Sequence, residues 1–212
     1  MRLALFGGTF DPPHRGHLAI ARAAADRFRL DAVLFAPVGR QPLKPQGSSS
    51  AYPDRLAMVA LACADAADPR FTPSALDAPR PDGAPNYTVD TLAQLAQAHP
   101  EATLFNLIGA DNFRHLAHWR EPQRLLTLAE WIVLSRPGFP LELPLEQDQL
   151  ALTPAQQARI HLLDSVHEDV AATTLRTRLR AGEPCTDFLA PGVAAYIAEH
   201  RLYKNDEPTP GN

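Results

Sequence analysis

Two histidines three residues apart, His14 and His17, close the stretch Gly7-Gly8-Thr9-Phe10-Asp11-Pro12-Pro13-His14-Arg15-Gly16-His17. In a first helical turn both rings lie on one face, where two imidazoles can donate hydrogen bonds to phosphate oxygens. Gly7 and Gly8 lack a Cβ, so the backbone there can turn sharply and approach a ligand closely. A second pair at the same spacing, Thr173 and Arg176, follows a loop in Val170-Ala171-Ala172-Thr173-Thr174-Leu175-Arg176. Each pair stands at the positive end of an expected helix, where free N–H groups receive anions. Two such starts facing one groove suit a nucleoside triphosphate held between them, with catalysis resting on positioning and charge. No Ser/His/Asp or Cys/His set that would supply a nucleophile is visible.

The elements that must carry these residues follow from the apolar pattern. Leu3 to Phe6 reads as a buried strand, Leu18 to Ala25 as a helix and Asp31 to Pro37 as a second strand, a parallel pair with a right-handed crossover. Asp11 is a candidate N-cap for the first helix. Val38 to Ala51 reads as a surface loop carrying Arg40 and Lys44. Tyr52 to Ala66 has helical spacing, with Asp54 and Arg55 in an exposed first turn; Arg70 to Ala78 is short and mixed, anchored by Phe71 and Leu76. Asn86-Tyr87-Thr88 opens a helix from Val89 to Ala98, capped by Thr88 or Asn86. Thr103 to Ile108, Trp131 to Leu134 and Arg159 to Leu163 read as further strands, and Pro191 to His200 as a last helix. The expected fold is α/β, a Rossmann-like doubly wound parallel sheet in a single domain over residues 1–203, with a frayed tail at 204–212.

Ligands of such sheets sit outside the carboxyl ends of the strands. Residues that leave a strand there are therefore candidates. Gly109-Ala110-Asp111 follows one strand, and Asp111 can accept a hydrogen bond from a ribose hydroxyl. Arg136 follows another and suits a substrate phosphate. Trp119, in a loop beside the expected pocket, can stack on an aromatic base or pack in the core. His115 and His118 lack a third metal ligand and read as surface residues, and the basic groups Arg178 and Arg180 as a solvated face.

A net charge of −4 speaks against a nucleic-acid binder held by bulk electrostatics. Two cysteines, Cys63 and Cys185, far apart and without ligands at metal spacing, fit a reducing cytoplasm and neither a disulfide framework nor a zinc site. No signal peptide and no membrane-length apolar run are present. Gly-x-Gly-x-x-Gly is missing after the first strand, so a dinucleotide-dependent dehydrogenase is disfavoured.

Gly-Gly-x-Phe-Asp-Pro-x-His-x-Gly-His resembles the signature of the nucleotidylyltransferase superfamily, and Leu3 to Tyr203 is similar to its bacterial nicotinate-nucleotide adenylyltransferase family. His14 is informative, because pantetheine-phosphate adenylyltransferases usually carry Thr at that position. The resemblance implies transfer of AMP from ATP, with Mg2+, to nicotinate mononucleotide, giving deamido-NAD and pyrophosphate. It places ATP at Gly7, Gly8, Thr9, Phe10, His14, His17, Gly109, Asp111, Thr173 and Arg176, with His14, His17 and Arg176 catalytic. It places the mononucleotide at Lys44, Tyr87, Thr88, Trp119 and Arg136, the Tyr-Thr pair beside the pyridine carboxylate. This chain departs from the family pattern at Gln41-Pro42-Leu43-Lys44, where Pro-Pro-His-Arg is usual, and at Ala171-Ala172, where serines are usual. A different nucleotide acceptor (nicotinamide mononucleotide or phosphopantetheine) and a nucleotide sensor without turnover are the competing expectations. Neither nucleic acid nor membrane is expected as a partner; a monomer and an oligomer are both compatible with the sequence.

Overall fold

The computed structural model describes residues 1–42, 47–135, 152–164 and 171–204. Six strands form one sheet: β1 (Arg2–Gly8), β2 (Ala32–Pro37), β3 (Phe71–Pro73), β4 (Thr103–Gly109), β5 (Glu130–Ser135) and β6 (Ile160–Asp164), in the order β3-β2-β1-β4-β5-β6. Every neighbouring pair is parallel. Strands buried on both faces become near-continuous apolar runs, which is why β1, β2, β4 and β5 stand out in the sequence; β6, at one edge of the sheet, is apolar too, with Leu162 exposed. The exception, β3, is three residues long with only Phe71 buried, and it forms the other sheet edge.

The alternation along β1 and β4 divides the core. Leu3, Leu5, Leu104 and Ile108 pack against Leu92 and Leu95 of α3 (Thr88–Ala98) and Leu125 of α5 (Pro122–Leu128). Ala4, Phe6, Phe105 and Leu107 face the other way, onto Ala21 and Ala25 of α1 (Arg15–Phe28) and Val59 and Cys63 of α2 (Tyr52–Ala66). The back of α2, through Met58 and Ala62, meets Leu175 of α7 (Ala172–Arg180) and Val193 and Ile197 of α8 (Pro191–Glu199). Two short helices, α4 (Ala110–Phe113) and α6 (Pro154–Gln157), complete the described set. Strand order reverses between β1 and β4, so a crevice opens at their carboxyl ends, beside Gly7–Gly8 and Gly109.

Tyr203 is buried, so the packed unit runs to the end of the expected domain; the expected tail lies outside the described residues beyond Lys204. Among the described residues no helix is long and apolar enough to cross a membrane. Burial pushes the Cys63 thiol up to about 12 and raises Cys185 as well. Since thiolate is the reactive form, the native chain should react with neither cysteine's reagent at neutral pH, whereas unfolding in guanidinium should expose both. Rapid labelling of the native chain by a thiol-disulfide chromogen would contradict this packing.

Candidate active site

The glycine turn is shaped by what lies behind it. A Cβ on Gly7 would meet no atom within 4 Å, so its absence leaves room in the crevice. Phe10 takes a left-handed φ of 49° and turns its ring inward, 2% exposed, edge-on to His17 at 5.0 Å between centroids. Of Phe10, expected at the nucleotide, the side chain belongs to the core and stands against His17 from behind, so only its backbone is left to meet a ligand.

His14, not Asp11, is the N-cap of α1. Its backbone N–H donates to Nδ1 of His17 at 3.1 Å, and the two rings lie 3.7 Å apart. An Nδ1 that accepts a backbone proton leaves the neutral ring's own proton on Nε2. His17 thus presents Nε2–H as a donor at the helix start.

Asp11 has a different task. It is 2% exposed; Oδ2 accepts from the Ser49 N–H at 2.6 Å, and Oδ1 accepts from the Tyr203 hydroxyl at 2.6 Å. Burial and the facing carboxylate raise Tyr203 well above the usual phenol range, which keeps it a donor. The backbone carbonyl of Asp11 accepts from Arg176 at 2.8 Å, and Arg176 also donates to Oγ1 of Thr173 at 3.2 Å. The start of α7 is thereby fixed beside the start of α1, and the two expected anion sites share one ledge. Ala171 caps α7 without a side-chain hydrogen bond, as the missing serine implies.

Arg55 overturns the expected exposed first turn of α2. It is 1% exposed and donates to the carbonyls of Thr9 at 2.8 Å, Val38 at 2.8 Å and Ser50 at 3.3 Å. Burial lowers its pKa, and Asp11 opposes that shift. The guanidinium ties the glycine turn to the loop after β2.

That loop is itself held against residues 77–86. A Cβ on Gly39 would stand 2.4 Å from the Pro79 nitrogen, and Gly39 N–H donates to the Asp77 carbonyl at 2.7 Å. Arg40, of undecided role in the sequence, donates to the Gly83 carbonyl at 2.6 Å and so braces the loop. Asn86 is also used here: its Oδ1 accepts from the Arg40 N–H and its Nδ2 donates to Ala78. Neither Asn86 nor Thr88 caps α3; the N-cap is Tyr87, with no side-chain bond. No side chain therefore caps the first-turn N–H groups of this helix.

A cavity of about 250 Å³ lies between these parts. Gly7, Gly8 and Thr9 form one wall, Tyr87 and Thr88 another, and Trp119 a third. Trp119 is half-buried and edge-on to Trp131, with ring centroids 6.4 Å apart, so it both packs and lines the cavity. Arg120 lies over the Tyr87 ring at 4.7 Å. His118, expected as a surface residue, also reaches the lining, as do Asp77 and Asn106, which sequence reasoning did not single out. The Asp77 carboxyl is raised by burial, against a 3.0 Å hydrogen bond from the Thr91 hydroxyl. Gly109 ends β4 and is the N-cap of α4, and Asp111 is exposed in the first turn of that helix. Lys44 and Arg136 lie outside the described residues.

The sequence matches the family model described as cytidylyltransferase-like over residues 5–178. Relatives named "Probable nicotinate-nucleotide adenylyltransferase" include one from Roseiflexus sp. (strain RS-1), 42% identical over 95% of this chain and 98% of its own length. Another, from Herpetosiphon aurantiacus, is 40% identical over 95% of this chain and 98% of its own length. In fold, the chain is similar to a Plasmodium falciparum nicotinic acid mononucleotide adenylyltransferase solved in complex with NaAD, with a TM-score of 0.76 at 15% identity, covering 97% of this chain and 99% of that one. Matched over most of its length by the family model and over nearly its full length by these relatives, the chain belongs to the cytidylyltransferase-like family, among the nicotinate-nucleotide adenylyltransferases.

Proposed function

We propose that the chain joins ATP and nicotinate mononucleotide into nicotinate adenine dinucleotide and pyrophosphate by direct in-line transfer, with the ATP phosphates on the α1–α7 ledge and the pyridine nucleotide in the cavity. The observation that carries this reading is the 2.8 Å bond from Arg176 to the Asp11 carbonyl, which sets two anion-receiving helix starts side by side, next to a cavity walled by the same glycine turn. The acceptor's 5′-phosphate oxygen attacks the α-phosphorus, the bond to the bridging oxygen breaks, and pyrophosphate carries away the electron pair. No enzyme-bound intermediate is required.

The chain's residues position and neutralise. His17 offers Nε2–H, and His14 and Arg176 supply further donors toward the phosphates, with Thr173 beside Arg176. Gly109 and Asp111 are assigned to the adenylate ribose. Magnesium would enter with the ATP substrate, where it would neutralise phosphate charge, without a dedicated protein cage. Among the described residues no group of three His, Cys, Asp or Glu side chains could hold a metal ion by itself. In the cavity, Trp119 stacks on the pyridine ring and the uncapped start of α3 at Tyr87 and Thr88 receives its carboxylate. Lys44 and Arg136 are assigned to the mononucleotide phosphate.

The acceptor half is tested at Trp119. W119A should raise KM for nicotinate mononucleotide by about 10–100-fold, the scale of one aromatic–base stack, while KM for ATP stays within about twofold. W119F should retain most of the affinity. Equal losses toward both substrates would reduce Trp119 to a packing residue.

A further inference from the structure

Asn106 stands in the middle of β4, in register with Leu5 of β1 and Trp131 of β5. Its neighbours along that strand face, Leu104 and Ile108, are core residues. Asparagine is a poor strand former, and a central parallel strand is the costliest place to bury a carboxamide without partners. Yet Asn106 is 4% exposed, and among the described residues its side chain makes no hydrogen bond. What exposure it keeps is toward the cavity, whose lining it joins. A second polar group on this lining lacks a partner: Nε1 of Trp119 is buried without an acceptor. An unpartnered carboxamide and an unpartnered indole N–H on the lining of one cavity mark a place where a bound molecule completes the hydrogen bonding.

We propose that Asn106 is a substrate-binding residue whose carboxamide hydrogen-bonds the ring substituent of the bound pyridine nucleotide, in its acid or its amide form. The inference rests on the cavity being the pyridine-nucleotide site. A carboxamide offers two donors on nitrogen and an acceptor on oxygen. It can therefore donate to a ring carboxylate and, rotated, accept from a ring carboxamide. The Trp119 indole N–H and the start of α3 are donors only, so preference for the acid falls to them. Asn106 keeps the amide form usable as a second, poorer substrate.

The test uses the full chain, both pyridine mononucleotides, and two readouts: steady-state turnover with ATP, and quenching of indole fluorescence on binding without ATP. N106L should raise KM and Kd for both mononucleotides on the order of 10-fold, the value of one hydrogen bond to such groups. N106D presents acceptors only, so it should lower the kcat/KM ratio of acid over amide by about 10-fold or more. KM for ATP should stay within about twofold in both, which also reports that the variants fold. If N106L and N106D leave both mononucleotide constants within about twofold of wild type, an ordered water satisfies Asn106 and the proposal falls. Wild-type binding without turnover would sink the reaction while the N106L Kd still decides Asn106; wild-type binding of neither nucleotide would sink both.

Discussion

H17A lowers kcat by about 10²–10³-fold, the loss expected on removing one donor aimed at developing charge, and leaves both KM values within about threefold. The reason lies in how the ring is held. The His14 N–H occupies Nδ1 of His17 at 3.1 Å, so Nε2 carries the proton. The Phe10 ring, edge-on at 5.0 Å, prevents retreat into the core. A donor fixed before the substrate arrives costs no reorganisation in the transition state. The substitution also removes the acceptor for the His14 N–H, which costs about 1 kcal/mol of stability; a thermal melt run alongside separates that loss from the kinetic one. H17N, which keeps a donor of shorter reach, should recover part of the rate. Full activity in H17A would take the ring out of the chemistry.

R55A should lower unfolding free energy by about 3–5 kcal/mol, since it strands buried carbonyls and opens a cavity. The three carbonyls belong to Thr9, Val38 and Ser50, which among the described residues no other side chain links together. For a chain of this size that corresponds to a melting temperature lower by roughly 10 °C. Because Thr9 leads directly into the His14 turn, kcat should fall as well, even below the melting transition. R55K keeps the charge but not the planar fork, so it should recover only part of the stability. Urea unfolding followed by circular dichroism measures the effect; a loss below about 1 kcal/mol would mean that the loop and the turn do not depend on this guanidinium.

Arg55 also shows where the sequence stops being legible. Its place in the first turn of α2 argues for exposure, and its partners at positions 9 and 38 come from other elements, so no local pattern announces them. Asp11 is a similar case: it stands where a helix cap is expected, but its hydroxyl partner is Tyr203, 192 residues away. By contrast, β1, β2, β4 and β5 were readable because burial on both faces makes their runs apolar, and β6 because it too is a short apolar run, although Leu162 is exposed. The glycine turn and both helix starts were readable because residue type and short spacing carry their chemistry. Trp119 was legible as a choice between stacking and packing, and the fold lets it do both. Asn106 left a signal, one polar residue within an apolar strand, that points to a cavity only once the strand's neighbours are known. Lys44 and Arg136 fall outside the described residues and remain assignments by family.

The central claim is tested most directly by pyrophosphate release from ATP and magnesium with three acceptors in parallel: nicotinate mononucleotide, nicotinamide mononucleotide and phosphopantetheine. The account predicts rapid release with the nicotinate compound, slower release with the nicotinamide compound, and none above background with phosphopantetheine. Turnover with phosphopantetheine alone would contradict the assignment of Tyr87, Thr88 and Trp119, and ATP binding without release for any acceptor would contradict catalysis on the α1–α7 ledge.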